Sequence, residues 1–452
     1  QLIQVLGAKP IDLSHDQTQL AIGITTDTRS LQPGEVFLAL RGENFDGHGF
    51  VQTAFERGAI AAIVDSSFIP ETLPNHSPLL VVDDTLAAYQ AIAHWWRSQF
   101  PIPVIAVTGS VGKTTTKEMI AAVLSTAKSS SAKVLKSQAN FNNEIGVPKT
   151  LLELSPEHDF AIVEMGMRGL GEIALLSQIA RPDIAVITNV GTAHIGRLGS
   201  EEAIAQAKCE LLAEMPADSI AVLNHDNPLL LQMANRVWSG KTMTFGLEGG
   251  DVHGSLQNVD HLIVEGTQFL LPLPGRHNAL NYLAALTVAK ILGINWAPLA
   301  QGIAVDLPGG RAKRHHLPND IVILDETYNA GLESMMASLH LLAQTEGQRH
   351  IAVLGTMKEL GDRSAEFHHK VGETVQQLRL DHLLILADEP EASAMKTGAN
   401  GVPAECFSDH ASVVERLRAI AKPGDRILFK ASRAVGLDQV VEQFCQNYSQ
   451  LV

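Results

Sequence analysis

Short apolar runs alternate with longer amphipathic stretches along almost the whole chain. Three such runs near the start predict the strands of a small α/β unit, namely Val36 to Leu40, Ala59 to Val64 and Leu79 to Val82. A second series of apolar runs follows, separated by stretches with the spacing of amphipathic helices. This alternation is typical of a parallel sheet covered by helices. The runs of the second series are Val104 to Val107, Phe160 to Val163, Ile184 to Ile187 and Ile220 to Leu223.

The pattern changes twice more along the chain. Lys241 to Pro274 contains many glycines and short alternating runs, which predict antiparallel strands before a helix that begins near Asn278. After a turn at Leu307 to Gly310, the alternation of strand and helix resumes and indicates a unit of Rossmann-like size. Its apolar runs are Ile321 to Leu324, Ile351 to Leu354, Leu383 to Leu386 and Arg426 to Phe429.

Proline and glycine positions divide the chain into predicted domains. Pro101 and Pro103 cannot continue a helix and mark the first boundary, and the turn before Gly310 marks the second. A length of 452 residues is too great for one hydrophobic core and fits about three domains. We therefore expect an α/β protein with domains at residues 1–100, 101–308 and 309–452.

The charge balance restricts the classes of partner. There are 34 Lys and Arg against 49 Asp and Glu, a formal net charge of −15, so no overall positive field exists to hold a nucleic acid or an anionic membrane. We expect no nucleic acid partner, and anionic ligands must be bound by local groups. Three scattered cysteines without a Cys-x-x-Cys pair argue against disulfides or structural zinc. Because no apolar run reaches the roughly 18 residues that span a bilayer, we predict a cytoplasmic protein without membrane insertion.

The strongest local motif lies between the apolar run Val104 to Val107 and an amphipathic helical pattern. Its residues are Thr108, Gly109, Ser110, Val111, Gly112, Lys113, Thr114, Thr115 and Thr116. Glycines let backbone N–H groups converge on phosphate oxygens, the lysine can neutralise the terminal phosphates, and a threonine hydroxyl can bind Mg²⁺. The alternative is a glycine-rich turn with a solvated lysine, but the flanking strand and helix favour a nucleoside triphosphate site.

This loop is two residues shorter than the usual Gly-x-x-x-x-Gly-Lys-Thr form. In this respect, and in further segments of all three predicted domains, the chain resembles the Mur ligases and their folylpolyglutamate synthase relatives. The resemblance covers essentially the whole chain. It implies a small N-terminal α/β substrate domain, a central P-loop ATPase domain with a parallel sheet, and a C-terminal Rossmann-like domain. It also implies that ATP and Mg²⁺ serve the formation of an amide bond.

Two segments resemble regions that the family uses for its substrates. The segment Thr26 to Gly42 resembles the region around a uridine nucleotide, although Asp and Arg also commonly cap surface turns. The candidate substrate-binding residues in it are Asp27, Thr28 and Arg29. The segment Asn140 to Pro148 resembles the motif of the family members that add a terminal dipeptide. The candidates in it are Asn142 and Asn143.

Three further residues match catalytic positions of the family, in addition to Lys113. Glu164 ends an apolar run, where a parallel sheet presents ligands, and the matching glutamate helps hold Mg²⁺; the alternative is a helix-capping or loop carboxylate. His194 matches a ligand of a second Mg²⁺, although a lone histidine is more often a polar surface group. Lys208 matches a lysine that is carried as an N-carbamate, whereas the alternative is a solvated lysine paired with a neighbouring acid. The expected metal ligands are Thr114, Glu164 and His194.

Further nucleotide contacts are expected from the helix near Asn278 and from the third domain. Asn278 and Asn281 share one helix face and resemble the segment that approaches the adenine, with an ordinary helix start as the alternative. Arg311 matches an arginine that reaches the phosphates when the third domain closes, and its alternative is a surface charge. The segment Asp325 to Ala330 resembles the Asp-Asp-Ser-Tyr-Asn-Ala segment of the dipeptide-adding members. Its candidate nucleotide-binding residues are Asp325, Tyr328 and Asn329.

Two third-domain motifs depart from the family pattern. Thr356 replaces a usual aspartate and Ala431 a usual glycine. These departures weaken predictions for individual residues in those motifs, and they leave the overall resemblance in place.

The activity implied by the resemblance is the ligation of D-alanyl-D-alanine to a UDP-muramoyl tripeptide through an acyl phosphate, in peptidoglycan synthesis. The expected partners are these small molecules, and the expected state is a monomer. A diamino-acid-adding ligase is an alternative, but its usual Asp-Asn-Pro-Arg motif has only a near match, Asp226 to Leu229, in the wrong domain. A folylpolyglutamate synthase is disfavoured by the extra first domain. A non-catalytic nucleotide-binding protein is disfavoured by Glu164, His194 and Lys208.

Overall fold

Three β-sheets follow one another along the chain, each with helices packed around it. The computed structural model describes residues 1–12, 20–42, 45–69, 73, 77–128 and 131–449. Within these residues the sheets span 9–82, 104–270 and 313–430. The predicted α/β class with N-terminal, central and C-terminal units is confirmed.

The first sheet has five strands in the order β1-β5-β4-β3-β2, parallel except for the antiparallel pair β1 and β5. Its strands are β1 (Lys9–Ile11), β2 (Ile24–Thr25), β3 (Val36–Leu38), β4 (Ala61–Asp65) and β5 (Leu79–Val82), and its helices are α1 (Leu2–Leu6), α2 (Val51–Glu56) and α3 (Thr85–Arg97). Helix α3 begins where the Asp84 carboxylate accepts hydrogen bonds from Leu86 N and Ala87 N. It also attaches this unit to the central one, because Arg97 Nη2 donates to Asp183 Oδ2 at 2.8 Å.

The central sheet has nine strands in the order β14-β13-β12-β11-β10-β9-β6-β8-β7. The strands are β6 (Val104–Thr108), β7 (Val134–Lys136), β8 (Phe160–Glu164), β9 (Ile184–Ile187), β10 (Ile220–Asn224), β11 (Lys241–Gly246), β12 (Val252–Leu256), β13 (His261–Val264) and β14 (Thr267–Leu270). The helices are α4 (Lys113–Ser125), α5 (Gly146–Leu152), α6 (Glu172–Ala180), α7 (Ile195–Leu198), α8 (Glu201–Glu214), α9 (Pro228–Val237) and α10 (Arg276–Ile291). Strands β6, β8 and β9 are continuous apolar runs because helices cover both faces of the sheet.

The prediction of antiparallel strands from Lys241 to Pro274 is only partly right. Strand β11 pairs in parallel with β10, and antiparallel pairing begins between β12 and β13. The reason is topological: helix α9 connects β10 to β11, and a helical crossover returns the chain in the same direction.

The third sheet has six strands in the order β15-β16-β20-β17-β18-β19, parallel except for the pair β15 and β16. Its strands are β15 (Lys313–Leu317), β16 (Ile321–Asp325), β17 (Arg349–Gly355), β18 (His382–Leu386), β19 (Ala404–Phe407) and β20 (Asp425–Lys430). Its helices are α11 (Leu332–Gln344), α12 (Ser364–Gln377), α13 (Glu391–Gly398), α14 (His410–Ile420) and α15 (Leu437–Ser449). None of the helices in the described part of the chain combines the length and the apolar composition needed to cross a bilayer.

The sheet order fixes where a ligand can bind. Strand β6 lies between β8 and β9, so the connections that leave the carboxyl ends of these strands diverge to opposite sides. In parallel sheets, a crevice at such a switch point is the usual binding position. Residues that follow β16, β17 and β20 of the third sheet line the same crevice.

An aromatic cluster holds the outer part of the central unit together. The Phe269 ring is fully buried and meets the edges of Tyr282 and Trp296, with ring centroids 6.1 and 6.0 Å away. Its neighbour Leu270 points outward and is 44% exposed.

We expect Phe269→Ala to lower the free energy of unfolding of the central unit by about 3–5 kcal/mol, because it removes a packed ring and leaves a cavity. Leu270→Ala on the same strand is the control and should change it by less than about 1 kcal/mol. Urea unfolding followed by tryptophan fluorescence measures both variants. Equal effects of the two substitutions would contradict this packing.

Candidate active site

A cavity of about 790 Å³ opens between the central and C-terminal units. The phosphate-loop motif, the segment after β8 and the start of α10 contribute one wall, and the C-terminal unit contributes the other. Of the candidates predicted from the sequence, the cavity is lined by Ser110, Val111, Gly112, Lys113, Thr114, Thr115, Asn142, Asn143, Glu164, His194, Asn278, Asn281, Arg311, Tyr328 and Asn329.

The phosphate loop is fixed by residues that follow β9. Asn189 Oδ1 accepts a hydrogen bond from Val111 N at 3.0 Å, and the Thr188 hydroxyl donates to Val111 O at 2.6 Å. The sequence gives no signal for this role of Asn189, because only the pairing of β6 with β9 brings it to the loop. Lys113 Nζ donates to Gly109 O at 2.8 Å, and burial lowers the pKa of this ammonium, with the Glu164 carboxylate opposing the shift. A desolvated ammonium at this place is a strong partner for phosphate oxygens.

Gly112 is the point at which the loop passes into α4. It has φ +84°, a conformation that glycine adopts without strain, and an added Cβ would lie only 2.5 Å from Asn281 Oδ1. That Asn281 oxygen accepts the Thr116 hydroxyl at 3.1 Å, and Asn281 Nδ2 lies 3.4 Å from Asn278 Oδ1. The two asparagines are therefore adjacent on α10, against the start of the phosphate-loop helix.

Glu164 places a buried carboxylate at the end of β8. It is only 3% exposed, and its Oε1 accepts Asn142 Nδ2 at 2.9 Å. Among the described residues, no group donates a hydrogen bond to Glu164 Oε2. A buried anionic oxygen without a donor fits a hard cation such as Mg²⁺, and Thr114 adds a buried hydroxyl to the same cavity.

A protein-only cage for a metal is not present in the described part of the chain, where no three His, Cys, Asp or Glu side chains come together as a ligand set. Mg²⁺ usually takes one or two protein ligands and completes its shell with water and substrate phosphates.

His194 is held from across the cavity. It has φ +67°, and its Nδ1 lies 2.6 Å from Glu359 Oε2 of the C-terminal unit. This is a close contact and not an aligned hydrogen bond. Burial lowers the His194 pKa, and the nearby Glu359 carboxylate opposes the shift. A neutral imidazole is the form that can bind a metal.

Two further contacts join the units around the same segment. Glu333 Oε1, in the first turn of α11, accepts Thr192 N at 2.7 Å. Gly196 N donates to Glu359 O at 3.0 Å, and an added Cβ at Gly196 would lie 2.5 Å from Gly361 N. Neither glutamate could be identified from sequence, because both act on a segment more than 100 residues away.

Lys208 does not line the cavity and is instead a buried residue of α8. It is 1% exposed, and burial holds the pKa of its ammonium well below the ordinary value, assisted by the charge of Lys113 and opposed by Glu210. Burial on this scale excludes the alternative of a solvated surface lysine.

The C-terminal wall carries stacked cations. The Arg311 guanidinium lies 3.7 Å from the centroid of the Tyr328 ring, and that of Arg433 lies 5.3 Å away. Lys430 Nζ donates to Asn329 O at 3.1 Å. Asp325 does not line the cavity; its Oδ1 accepts the Thr327 hydroxyl at 2.7 Å and so shapes the turn that presents Tyr328.

Two residues missed by sequence reasoning lie close to this wall. Burial raises the pKa of Glu326, and the adjacent Lys430 opposes that shift. Burial also lowers the pKa of His277 to about 4, again near Lys430. Both residues line the cavity, and His277 directly precedes Asn278 at the start of α10.

The first-unit candidates lie outside the cavity. Arg29 and Asp27 form an exposed ion pair at 2.7 Å, which lowers the Asp27 pKa to about 2, and Thr28 O accepts Arg57 Nη1 at 2.8 Å. The central unit comes close to this loop, since the charge of Lys149 also acts on Asp27. Asn143 Oδ1 accepts Gly146 N at 2.9 Å and thereby begins α5.

Comparison with known proteins agrees with this architecture over almost the whole chain. Residues 22–97 match the model described as Mur ligase family, catalytic domain; residues 107–289 match the Mur ligase middle domain; and residues 310–433 match the Mur ligase, glutamate ligase domain. The chain belongs to the Mur ligase family, and it is an ATP-dependent ligase that forms an amide bond.

Individual relatives carry the comparison further. The chain is 59% identical over 420 residues to a UDP-N-acetylmuramoyl-tripeptide–D-alanyl-D-alanine ligase of Synechocystis, covering 93% of this chain and 91% of the relative. It is 36% identical to the ligase of the same name from Escherichia coli, with 94% of each chain covered. Among solved structures, MurF from Acinetobacter baumannii is similar with a TM-score of 0.87 at 32% identity, covering 98% of each chain. MurF from Thermotoga maritima in complex with ADP is similar with a TM-score of 0.84 at 31% identity, covering 96% of this chain and all of that one.

We expect Gly112→Ala to weaken the binding of ADP at least about tenfold, because the added methyl group both strains the backbone and displaces Asn281 from the loop. Gly171→Ala is a matched control, since Gly171 also begins a helix at φ +84° but has nothing within 4 Å of an added Cβ. Isothermal titration calorimetry measures both. Nucleotide affinity that is unchanged in Gly112→Ala would contradict this description of the loop.

Proposed function

We propose that this chain ligates D-alanyl-D-alanine to a UDP-N-acetylmuramoyl tripeptide with ATP, as the final cytoplasmic step of muramoyl-pentapeptide synthesis for peptidoglycan. The observation that carries the proposal is the cavity in which the phosphate-loop Lys113, the buried Glu164 and the cations of the C-terminal wall face one another. The relatives with 36% and 59% identity bear the name of this activity, and both are covered almost end to end.

The first step follows from the poor reactivity of a carboxylate as an acyl donor. The terminal carboxylate of the tripeptide attacks the γ-phosphorus of ATP, a carboxylate oxygen–phosphorus bond forms, and the bond from the phosphorus to the ADP oxygen breaks. An acyl phosphate and ADP result. Lys113 and Arg311 lie on opposite walls of the cavity and bind the phosphate oxygens, on which the negative charge is spread.

The proposed metal site uses residues that fit it. Thr114, Glu164 and His194 would hold Mg²⁺, which supplies charge neutralisation at the phosphates when bound. Glu164 contributes the donor-free buried oxygen Oε2, and His194 contributes an imidazole whose burial lowers its pKa and so favours the uncharged form. The contact with Glu359 fixes the His194 ring in place when the two units are docked.

The second step joins the dipeptide. The free amine of D-alanyl-D-alanine attacks the acyl carbonyl, a carbon–nitrogen bond forms, phosphate leaves with the carboxylate-derived oxygen, and the amine releases a proton. Water would hydrolyse the acyl phosphate in competition. The contacts of Glu333 and Glu359 with segment 192–196 hold the two walls together and limit access of solvent.

We assign the adenine of ATP to the central unit and the uridine part of the muramoyl substrate to the first unit. Asn278 and Asn281, beside the phosphate loop, are placed next to the adenine. Asp27, Thr28 and Arg29 are placed next to the uridine part of the muramoyl substrate, and Asn142 and Asn143 lie between the two positions along the central wall. The first and central units are joined beside Asn143, since Gln90 Nε2 of α3 donates to Glu144 O at 3.2 Å. Asp325 acts indirectly, through the turn that carries Tyr328 and Asn329.

Lys208 is the residue that fits a carbamate. Carbon dioxide reacts with a neutral amine, and burial, which lowers the pKa of Lys208, favours that neutral form. The modified group would be an anion close enough to the cavity wall to interact with Lys113, whose charge already acts on Lys208.

The ligase reaction is tested by incubating the protein with ATP, Mg²⁺, UDP-muramoyl tripeptide and D-alanyl-D-alanine. We expect phosphate release together with a UDP product heavier by one dipeptide, formed only when every component is present. Mass spectrometry of the product measures this. Turnover that instead adds a free diamino acid to the UDP-muramoyl dipeptide would contradict the proposal, and so would binding of ATP without turnover.

The carbamate is tested separately. We expect a ¹³C carbamate signal after incubation with ¹³C-bicarbonate, lost in Lys208→Met and retained in the control Lys241→Met, an exposed lysine. Because the Lys208 pKa is lowered, uptake should persist to lower pH than for an exposed lysine. Removal of carbon dioxide should reduce activity until bicarbonate is restored. A signal that survives in Lys208→Met would place the carbamate elsewhere.

A further inference from the structure

A second lysine of the phosphate-loop helix is buried beside Glu164. Lys117 lies one helical turn after Lys113 and is 1% exposed. Its Nζ donates to Ser137 O at 2.6 Å, lies 3.1 Å from Glu118 Oε1, and lies 3.8 Å from Glu164 Oε2. Desolvating an ammonium is costly, so a lysine in this position must contribute interactions that repay its burial.

Those interactions connect two separate elements. Ser137 follows β7 and is tied to β8, because its hydroxyl accepts Glu164 N at 3.1 Å and its backbone N donates to Ile162 O at 3.0 Å. Lys117 projects from α4 and binds the same Ser137 through its carbonyl. The lysine therefore fastens the helix of the phosphate loop to the end of the strand that presents Glu164.

The orientation of the Glu164 carboxylate is then set from both sides. Asn142 donates to Oε1 at 2.9 Å, while Lys117 stands near Oε2 without occupying it at hydrogen-bonding distance. Among the described residues, Oε2 receives no hydrogen bond. We propose that Lys117 is a positioning residue, which holds Glu164 so that Oε2 stays free to bind the cation that accompanies the nucleotide phosphates. This inference rests on the proposed function.

Pairing with Glu118 does not account for Lys117. The other Glu118 oxygen is bound by Lys136, which is only partly buried and reaches this carboxylate from β7. Lys117 alone of these two lysines contacts both Ser137 and Glu164. The pair thus offers a matched comparison, since removing either lysine deletes one positive charge beside Glu118.

An electrostatic role and a positioning role of Lys117 predict opposite effects of its removal on Mg²⁺ binding. A cation near a metal ligand repels the metal, so a purely electrostatic role means that removal of Lys117 tightens Mg²⁺ binding. A positioning role means that removal weakens Mg²⁺ binding, because Glu164 becomes free to turn away. Substitutions of groups that orient metal ligands commonly reduce metal affinity 10- to 100-fold.

The experiment measures ADP binding by calorimetry as a function of Mg²⁺ concentration, in the absence of the muramoyl substrate. For Lys117→Met we expect the Mg²⁺ concentration that gives half-maximal enhancement of ADP affinity to rise about tenfold. The ADP affinity measured without Mg²⁺ should change less than about twofold. For Lys136→Met we expect less than a twofold change in both quantities. Unchanged or tighter Mg²⁺ dependence in Lys117→Met would overturn the inference.

A second variant keeps the inference testable if Lys117→Met folds poorly. Lys117→Met combined with Glu118→Gln restores the charge balance of the cluster while leaving Ser137 and Glu164 without their lysine contact. We expect this double variant to fold and to keep the raised Mg²⁺ requirement. Recovery of the wild-type requirement would show that Lys117 only balances Glu118, and would overturn the inference. If the wild type binds ADP in a Mg²⁺-dependent manner but fails in the ligation assay, the proposed function is wrong. The effect of Lys117→Met on the Mg²⁺ dependence then decides the inference about Lys117 separately.

Discussion

The structure depends on concentrating positive charge in one cavity of a chain whose formal net charge is −15. ATP and a nucleotide-linked substrate together bring many phosphate charges, and the surface as a whole would repel them. Cationic side chains slightly outnumber carboxylates in the cavity lining, with six against the five of Glu144, Glu164, Glu172, Glu326 and Glu359. The cationic side chains are Lys113, Arg168, Arg311, Lys358, Lys430 and Arg433. Four of these six belong to the C-terminal unit, so the electrostatic environment that ATP needs exists only when that unit is docked against the phosphate loop.

Docking is therefore part of the chemistry and not only of the architecture. The contacts that produce it converge on one short segment, where Thr192 meets Glu333, His194 meets Glu359, and Gly196 packs against Gly361. The Glu333 contact is a hydrogen bond from a backbone N–H to a carboxylate, which is stronger than one between neutral groups and acts only at short range. The contacts that exclude water from the cavity therefore also fix the orientation of the His194 ring. Lys117 has the equivalent effect inside the central unit, where it joins the phosphate-loop helix to the strand of Glu164.

The features that sequence predicts well are those encoded by neighbouring residues. The apolar runs predict the strands, the glycine loop lies between a strand and a helix as expected, and Asn278 and Asn281 lie side by side as their helical spacing indicates. The parallel pairing of β11 was missed because local composition does not report which strand a segment will join. Asn189 and Lys117 were missed for a related reason: their importance comes from partners that only the folded chain brings near.

The two departures from the family pattern are structural in this fold. Thr356 and Ala431 are both buried and neither lines the cavity. Thr356 O accepts Ser432 N, and Ala431 Cβ would lie 2.7 Å from a Cβ added to Gly355. The domain boundaries at residues 100 and 308, the monomeric state and the roles of individual site residues remain predictions.

The activation of the carboxylate is the central claim, and its most direct test uses tripeptide substrate labelled with ¹⁸O in the terminal carboxylate. We expect the released phosphate to carry one labelled oxygen for each dipeptide joined. Unlabelled phosphate accompanying product formation would contradict an acyl phosphate in this cavity.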